Sequence, residues 1–235
     1  MTASLRSVHL TGWGAYVPSQ VLTNTDLERM VDTSDEWIVT RTGIRERRIA
    51  GPTDTTASMA AVAGLRAIAT AGLSVHDIDL IIVGTLTPDY PLPSAAVLVK
   101  EAIGNSHAAA MDLAAACSGF VYGYGIAHAY LASGLAHHAL VIGSETMSRC
   151  TDWTDRATCV LFGDGAGAAV LSAADDPMIP VHSVEPWATS KSVEREITPT
   201  GGHVGFVARA SAPGYFWAPE RALDFLESHG GQASY

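Results

Sequence analysis

Positive charge is in short supply in this chain. Fourteen lysines and arginines stand against 24 aspartates and glutamates, a formal net charge of −10. That balance excludes a general nucleic-acid binder, which needs a basic footprint against phosphate. Cysteine is scarcer still. Cys117, Cys150 and Cys159 make an odd number without CxxC or His/Cys ligand spacing, which excludes a disulfide scaffold and a structural zinc site and fits a reducing cytoplasm. No stretch of about 18 charge-free apolar residues is present; residues 159–174 come nearest and are interrupted by Asp164 and several glycines. The start of the chain lacks a charged segment followed by an apolar one, so no secretory signal is expected.

What is present is an apolar chain. Hydrophobic residues make up 48% of 235, enough for a buried core and too many for a disordered segment. Apolar runs alternate with helical patterns. Residues 5–11 read as a short strand ending in a turn at Gly12-Trp13-Gly14. Asn24 reads as the cap of a helix reaching Val31, and 34–38 as a second short helix. Residues 55–71 keep helical spacing, with Met59, Val62, Ala63, Leu65, Arg66, Ile68 and Ala69 in register and Gly72 as the stop. A buried strand follows over 79–85, a helix over 94–103, a strand over 108–113, a helix to Ser133-Gly134 and a strand over 139–143. Residues 160–162 and 166–172 read as the two arms of a hairpin turning at Gly163-Asp164-Gly165. Continuous apolar strands between helices predict an α/β chain with a mixed sheet covered on both faces.

Cys117 is the residue with the clearest chemistry. The run Met111-Asp112-Leu113-Ala114-Ala115-Ala116-Cys117-Ser118-Gly119-Phe120 ends a strand at a thiol and starts a helix. Helix N–H groups without partners favour the thiolate, the nucleophilic form, and small neighbours leave room for a carbonyl. The alternative is a small buried hydrophobe. Gly163-Asp164-Gly165-Ala166-Gly167 lacks the lysine and hydroxyl of a phosphate loop.

Residues 32–47, DTSDEWIVTRTGIRER, resemble the opening of β-ketoacyl-ACP synthase III, the initiating condensing enzyme of type II fatty-acid synthesis. So do 112–120, the pair Asp155-Arg156, and 162–171, FGDGAGAAVL; the similarity runs from about 5 to 173. The resemblance implies a thiolase-like half-domain over 1–173. It implies an acyltransferase that loads an acyl group from acyl-CoA onto Cys117 and then condenses it with malonyl-ACP after decarboxylation. Trp37 and Arg156 match the pair that sandwiches the CoA adenine, and Thr33 and Arg41 match groups lining the CoA entrance. An indole face and a guanidinium plane suit a base, and arginine suits a phosphate. Alternatively, Trp37 anchors a core, and Arg156 pairs with Asp152 or Asp155. Arg41, Arg45, Arg47 and Arg48 form a basic cluster that steers anionic CoA or an acidic carrier protein, or else a solvated face. Leu92, in 87–93, lies where the family has its subunit interface and acyl pocket. The family's second half, with its histidine and asparagine, has no match here, so impaired condensation is expected. Unpartnered faces of a lone half favour a homodimer or association.

The last residues read differently. Asp175-Asp176-Pro177, followed by Gly201-Gly202-His203-Val204-Gly205-Phe206, is similar to the end of bacterial α/β-hydrolases of the predicted-esterase type. That similarity implies a second unit over 174–235 with Asp175 or Asp176 as the acid and His203 as the base. No Gly-x-Ser-x-Gly elbow accompanies them. Three functions therefore compete: an acyltransferase using Cys117, a hydrolase or thioesterase using His203, and a non-catalytic fusion remnant. The acyltransferase reading takes acyl-CoA as substrate and acyl carrier protein as partner, with no resident cofactor or metal; the chain is expected to touch neither nucleic acid nor membrane and to be cytoplasmic.

Overall fold

The computed structural model describes residues 6–174. In chain order the elements are β1 (Ser7–Tyr16), β2 (Gln20–Thr23), α1 (Asn24–Leu27), α2 (Asp35–Thr42), β3 (Glu46–Ile49), α3 (Thr56–Thr70), β4 (Leu80–Gly84), α4 (Ala95–Ala102), β5 (Ala109–Leu113), α5 (Gly119–Ala132), β6 (His138–Thr146) and β7 (Asp164–Ala174). Five strands form one sheet in the order β1-β7-β6-β4-β5, and β2 pairs with β3 in a small hairpin. β4 runs parallel to β5 and β6, while β7 is antiparallel to β6 and β1. The expected mixed sheet between helices is what forms.

The apolar run of β4 explains the layering. Successive side chains point to opposite faces of a strand, so a strand covered on both sides must be apolar at every position. Ile81 and Val83 pack under α3 and α4 with Leu140, Ile142 and Val170. Leu80 and Ile82 pack on the other side with Ala127 and Leu131 of α5. Leu80, Ile81, Ile82 and Val83 are each at most 1% exposed.

Three expectations need correction. First, Gly12-Trp13-Gly14 is strand, not turn: β1 continues to Tyr16 with a bulge between Leu10 and Gly12. The glycines serve close packing, since a Cβ on Gly12 would lie 2.2 Å from Ala67 O, and one on Gly14 2.3 Å from Ala63 O. Second, Thr23, not Asn24, caps α1 through a reciprocal box with Asp26, and the helix ends at Leu27. Asn24 is drawn inward instead, to Asp35 and the Ile44 carbonyl. Third, the expected hairpin at Gly163–Gly165 does not form. β7 is one strand from Asp164, while Cys159 and Val160 turn away to a separate apolar cluster with Leu27 and Ile38. Asp164, 6% exposed, holds that crossing. It accepts from the Ala50 and Ser148 amides (2.6 and 2.8 Å) and from the Ser148 hydroxyl.

β6 starts one residue earlier than the strand expected over 139–143, at His138. That residue is half-buried, with Nδ1 against the Ser172 hydroxyl at 2.8 Å, and burial lowers its pKa despite Asp79 nearby. Among the described residues, no helix is long and apolar enough to cross a membrane, and no group of three or more His, Cys, Asp or Glu is placed to hold a metal ion.

Candidate active site

Cys117 lies in a 3-10 turn, Ala116–Ser118, between the end of β5 and the start of α5. The thiol residue is exposed, which decides against the buried-hydrophobe alternative. Ala116 before it has φ +47°, the left-handed region that costs a non-glycine residue roughly 1–3 kcal/mol and persists only where the surroundings impose it. The surroundings here are backbone. A Cβ on Gly84 would lie 2.8 Å from the Gly119 carbonyl carbon and 3.0 Å from Phe120 N. The start of α5 is thus seated directly on the end of β4, and the Thr85 amide donates to Leu113 O at 3.2 Å beside it.

The three longer helices of the sheet differ at their N-termini. The first amides of α3 are taken by Asp89, which accepts from Thr56 and Ala57 at 2.9 Å. Those of α4 are taken by Asp112, which accepts from Ala95 and Ala96 at 2.8 and 2.7 Å. At α5, Ser118 makes no side-chain cap bond. A helix start left without a capping acceptor suits developing negative charge, and Cys117 sits at that start.

Glu145, at the end of β6, braces the neighbouring loop. Its carboxylate accepts from the Leu86 and Thr87 amides at 2.8 and 3.1 Å and from the Thr85 and Thr87 hydroxyls. The loop that follows leaves Leu92 86% exposed.

The second cluster is built on α2. Ser34 caps the helix by accepting from the Trp37 amide at 3.1 Å. One helical turn on, the Arg41 guanidinium carbon lies 4.4 Å from the Trp37 ring centroid, and Arg156, from the loop after β6, brings its own to 4.3 Å. Both are within cation–π range. The half-buried Trp37 ring also packs on the cluster of Leu27, Ile38 and Val160, so the core-anchor alternative holds for part of this side chain. Arg156 is not paired with Asp152 or Asp155. Asp152 accepts from the Thr154 hydroxyl and amide, bonds that lower its carboxyl pKa. Asp155 accepts from the Ala157 amide and the Thr158 hydroxyl. Thr33 Oγ1 is buried without a partner among the described residues. A base between the Trp37 and Arg156 planes needs about twice the ~3.5 Å contact distance, so at 4.3 Å the two side chains lie in direct contact with no room for a third plane, and Arg156 is the exposed member of the pair.

The arginine cluster does not act as a unit. Arg41 and Arg45 are exposed. Arg48 pairs with Glu46 at 3.1 Å and bonds the Pro18 carbonyl. Arg47, expected on the surface, is 4% exposed and bonds the Val160 carbonyl and Asn24 instead. Strand alternation in β3 turns it inward between two outward neighbours. That alternation was the available signal, obscured by a strand that is charged at three of its four positions. His203, Asp175 and Asp176 lie outside the described residues, as does all of the expected hydrolase-like unit over 174–235 except Ala174, which closes β7.

Residues 111–186 match the family described as 3-oxoacyl-[acyl-carrier-protein (ACP)] synthase III. A relative from Alkalilimnicola ehrlichii, named beta-ketoacyl-[acyl-carrier-protein] synthase III, is 55% identical over 171 residues, covering 72% of this chain and 53% of the relative. One of the same name from Xanthomonas axonopodis pv. citri is 49% identical over 197 residues, 84% of this chain and 60% of its own length. The chain therefore spans a little over half the length of these curated relatives. Among solved structures, 3-oxoacyl-[acyl-carrier-protein] synthase III from Aquifex aeolicus VF5 superimposes with a TM-score of 0.71 at 51% identity, over 73% of this chain and 55% of that one. The priming β-ketosynthase of the R1128 polyketide pathway gives 0.72 at 39% identity, over 75% and 53%. Over its N-terminal part, then, this chain is related in sequence and in its thiolase-like fold to β-ketoacyl-ACP synthase III.

Proposed function

We propose that the chain is an acyltransferase of the β-ketoacyl-ACP synthase III type, and that Cys117 accepts the acyl group from acyl-CoA. The observation that carries this is the exposed thiol of Cys117 on a left-handed turn at the uncapped start of α5. In the step, the Cys117 sulfur attacks the thioester carbonyl, a new carbon–sulfur bond forms, the bond to CoA sulfur breaks, and CoA leaves with the proton that the cysteine gave up. The start of α5 lies where charge develops on the carbonyl oxygen. Trp37, Arg41 and Arg156 offer a stacking face and two cations for the nucleotide end of the donor, with Thr33 at the same entrance. The step uses no resident cofactor. Transfer onward to a malonyl group on acyl carrier protein belongs to the same proposal and adds a carbanion to be stabilised, a demand Cys117 alone does not meet.

The test is intact mass after incubation with acetyl-CoA. One acetyl group is expected on the wild type and none on Cys117→Ala. Because Cys150 is also exposed, an acetyl group retained by Cys117→Ala would move the reaction elsewhere and sink the assignment.

Pairing of two copies is part of the proposal. β5 is the edge strand of the sheet, and Leu92, Val121 and Tyr122 are 86%, 65% and 58% exposed, the kind of apolar surface that marks an interface. Sedimentation is expected to give twice the chain mass; a monomer at every concentration would remove this part.

A further inference from the structure

Trp37 and Arg156 meet across 119 residues of sequence, one on α2 and the other on an exposed loop after β6. Two long-range links hold that meeting: the apolar cluster that packs Trp37 and Ile38 with Cys159 and Val160, and a chain of polar contacts, buried at Arg47 and Asn24 and reaching the surface at Asp35.

The chain runs through Arg47. Its Nε donates to Val160 O at 3.0 Å, and a terminal nitrogen reaches the same oxygen at 2.5 Å. Its other terminal nitrogen donates to Asn24 Oδ1, also at 2.5 Å. Asn24, 1% exposed, donates in turn to Asp35 Oδ1 at 2.7 Å and to Ile44 O at 2.8 Å. Asp35 is the first residue of α2, two before Trp37. Val160 is four after Arg156, at the end of a turn closed by the Cys159 amide on Asp155 O at 2.9 Å. These contacts link the first turn of α2 to Val160, the residue that follows the turn carrying Arg156.

Arg47 is an expensive way to make this bridge. Its burial lowers the guanidinium pKa, and among the described residues its acceptors are a carbonyl and an amide oxygen, with no carboxylate in hydrogen-bonding reach. A buried charge so placed adds little stability over an apolar side chain of similar volume. What it supplies is direction: a rigid fork of donors that fixes two acceptors relative to each other.

We infer that Arg47 is a positioning residue for the nucleotide end of the acyl donor, setting through Asn24 and the Val160 carbonyl the spacing of the Trp37 and Arg156 planes. The inference rests on the proposed reading of those two residues. It assigns opening of the slot to the Arg156 side chain, with the loop base held at Val160.

The test compares two ligands on the full chain. Coenzyme A binding is measured by titration calorimetry, and acetylation of Cys117 by the nucleotide-free thioester acetyl-N-acetylcysteamine is measured by intact mass. Arg47→Met keeps volume and removes the fork; Asn24→Ala cuts the chain one link on. Both are expected to weaken coenzyme A binding about tenfold while leaving acetylation by the small thioester within about twofold of wild type. Trp37→Ala is the reference for the site itself. If Trp37→Ala weakens coenzyme A but the other two do not, Arg47 has no positioning role and the site reading stands. If Trp37→Ala leaves binding unchanged, the site reading and this inference fall together. A loss of equal size with both ligands makes Arg47 a general structural residue and overturns the inference. Should Arg47→Met not fold, Asn24→Ala decides alone.

Discussion

Serine in place of Cys117 is expected to slow acyl uptake by at least about a thousandfold, although it differs by one atom. At neutral pH a cysteine is a few per cent thiolate and intrinsically nucleophilic, whereas a serine hydroxyl needs a base to take its proton. The turn that carries residue 117 is made of Ala116 and Ser118, and Gly119 follows, so it offers no such base. Time-resolved intact mass with acetyl-CoA measures the two rates side by side. The same substitution should leave melting within a degree or two, because an exposed position has little packing to lose. A serine variant that acetylates within tenfold of wild type would mean that the thiol is not the nucleophile.

A single methyl group added at Gly84 is expected to damage both fold and site. The methyl carbon would stand 2.8 Å from the Gly119 carbonyl carbon and 3.0 Å from Phe120 N. Both are backbone atoms in the first residues of α5, so no side chain can swing aside. Overpacking of this kind costs roughly 3 kcal/mol, which for a chain of this size lowers Tm by roughly 6–12 °C. Relief can come only by lifting the start of α5 from β4, and that start carries Cys117. A displacement on the order of 1 Å at a reacting group costs about a hundredfold in rate. Gly84→Ala should therefore lose acetylation by about that factor at temperatures where it is still folded. Calorimetry and the mass assay check the two effects separately. An unchanged Tm would show that β4 and α5 are not in the contact described.

The elements whose apolar pattern reports their own surroundings were legible in the sequence. β4 is apolar at every position because helices cover both faces, and α3 was legible in its extent, although the face it buries is built largely of Ala57, Ala60, Ala63 and Ala67 while Leu65 is 42% exposed. Cys117 was legible because strand, thiol and helix follow one another without interruption. The rest depended on partners far away in sequence. Gly12 and Gly14 look like a turn until α3 is placed against them. Val160 looks like a strand residue until Leu27 and Ile38 claim it. Arg47 looks like one more surface charge until strand alternation turns it toward a carbonyl 113 residues away. The carboxylates of Asp89, Asp112, Glu145 and Asp164 stand out in no local pattern, because each spends its oxygens on backbone amides of another segment.

The pairing of β1 with β7 joins Ser7 to Ala174 and Tyr16 to Ala166. In a growing polypeptide the earliest strand of the sheet must wait for the latest one described here. Until residue 174 has left the ribosome, β1 lacks its sheet neighbour, and the α3 surface that Gly12 and Gly14 fit so closely has nothing to hold it in register. Closure over so long a loop is entropically costly and slow. The interval leaves the apolar edges of β6 and α3 open to other chains, which is when a nascent protein of this topology most needs a chaperone.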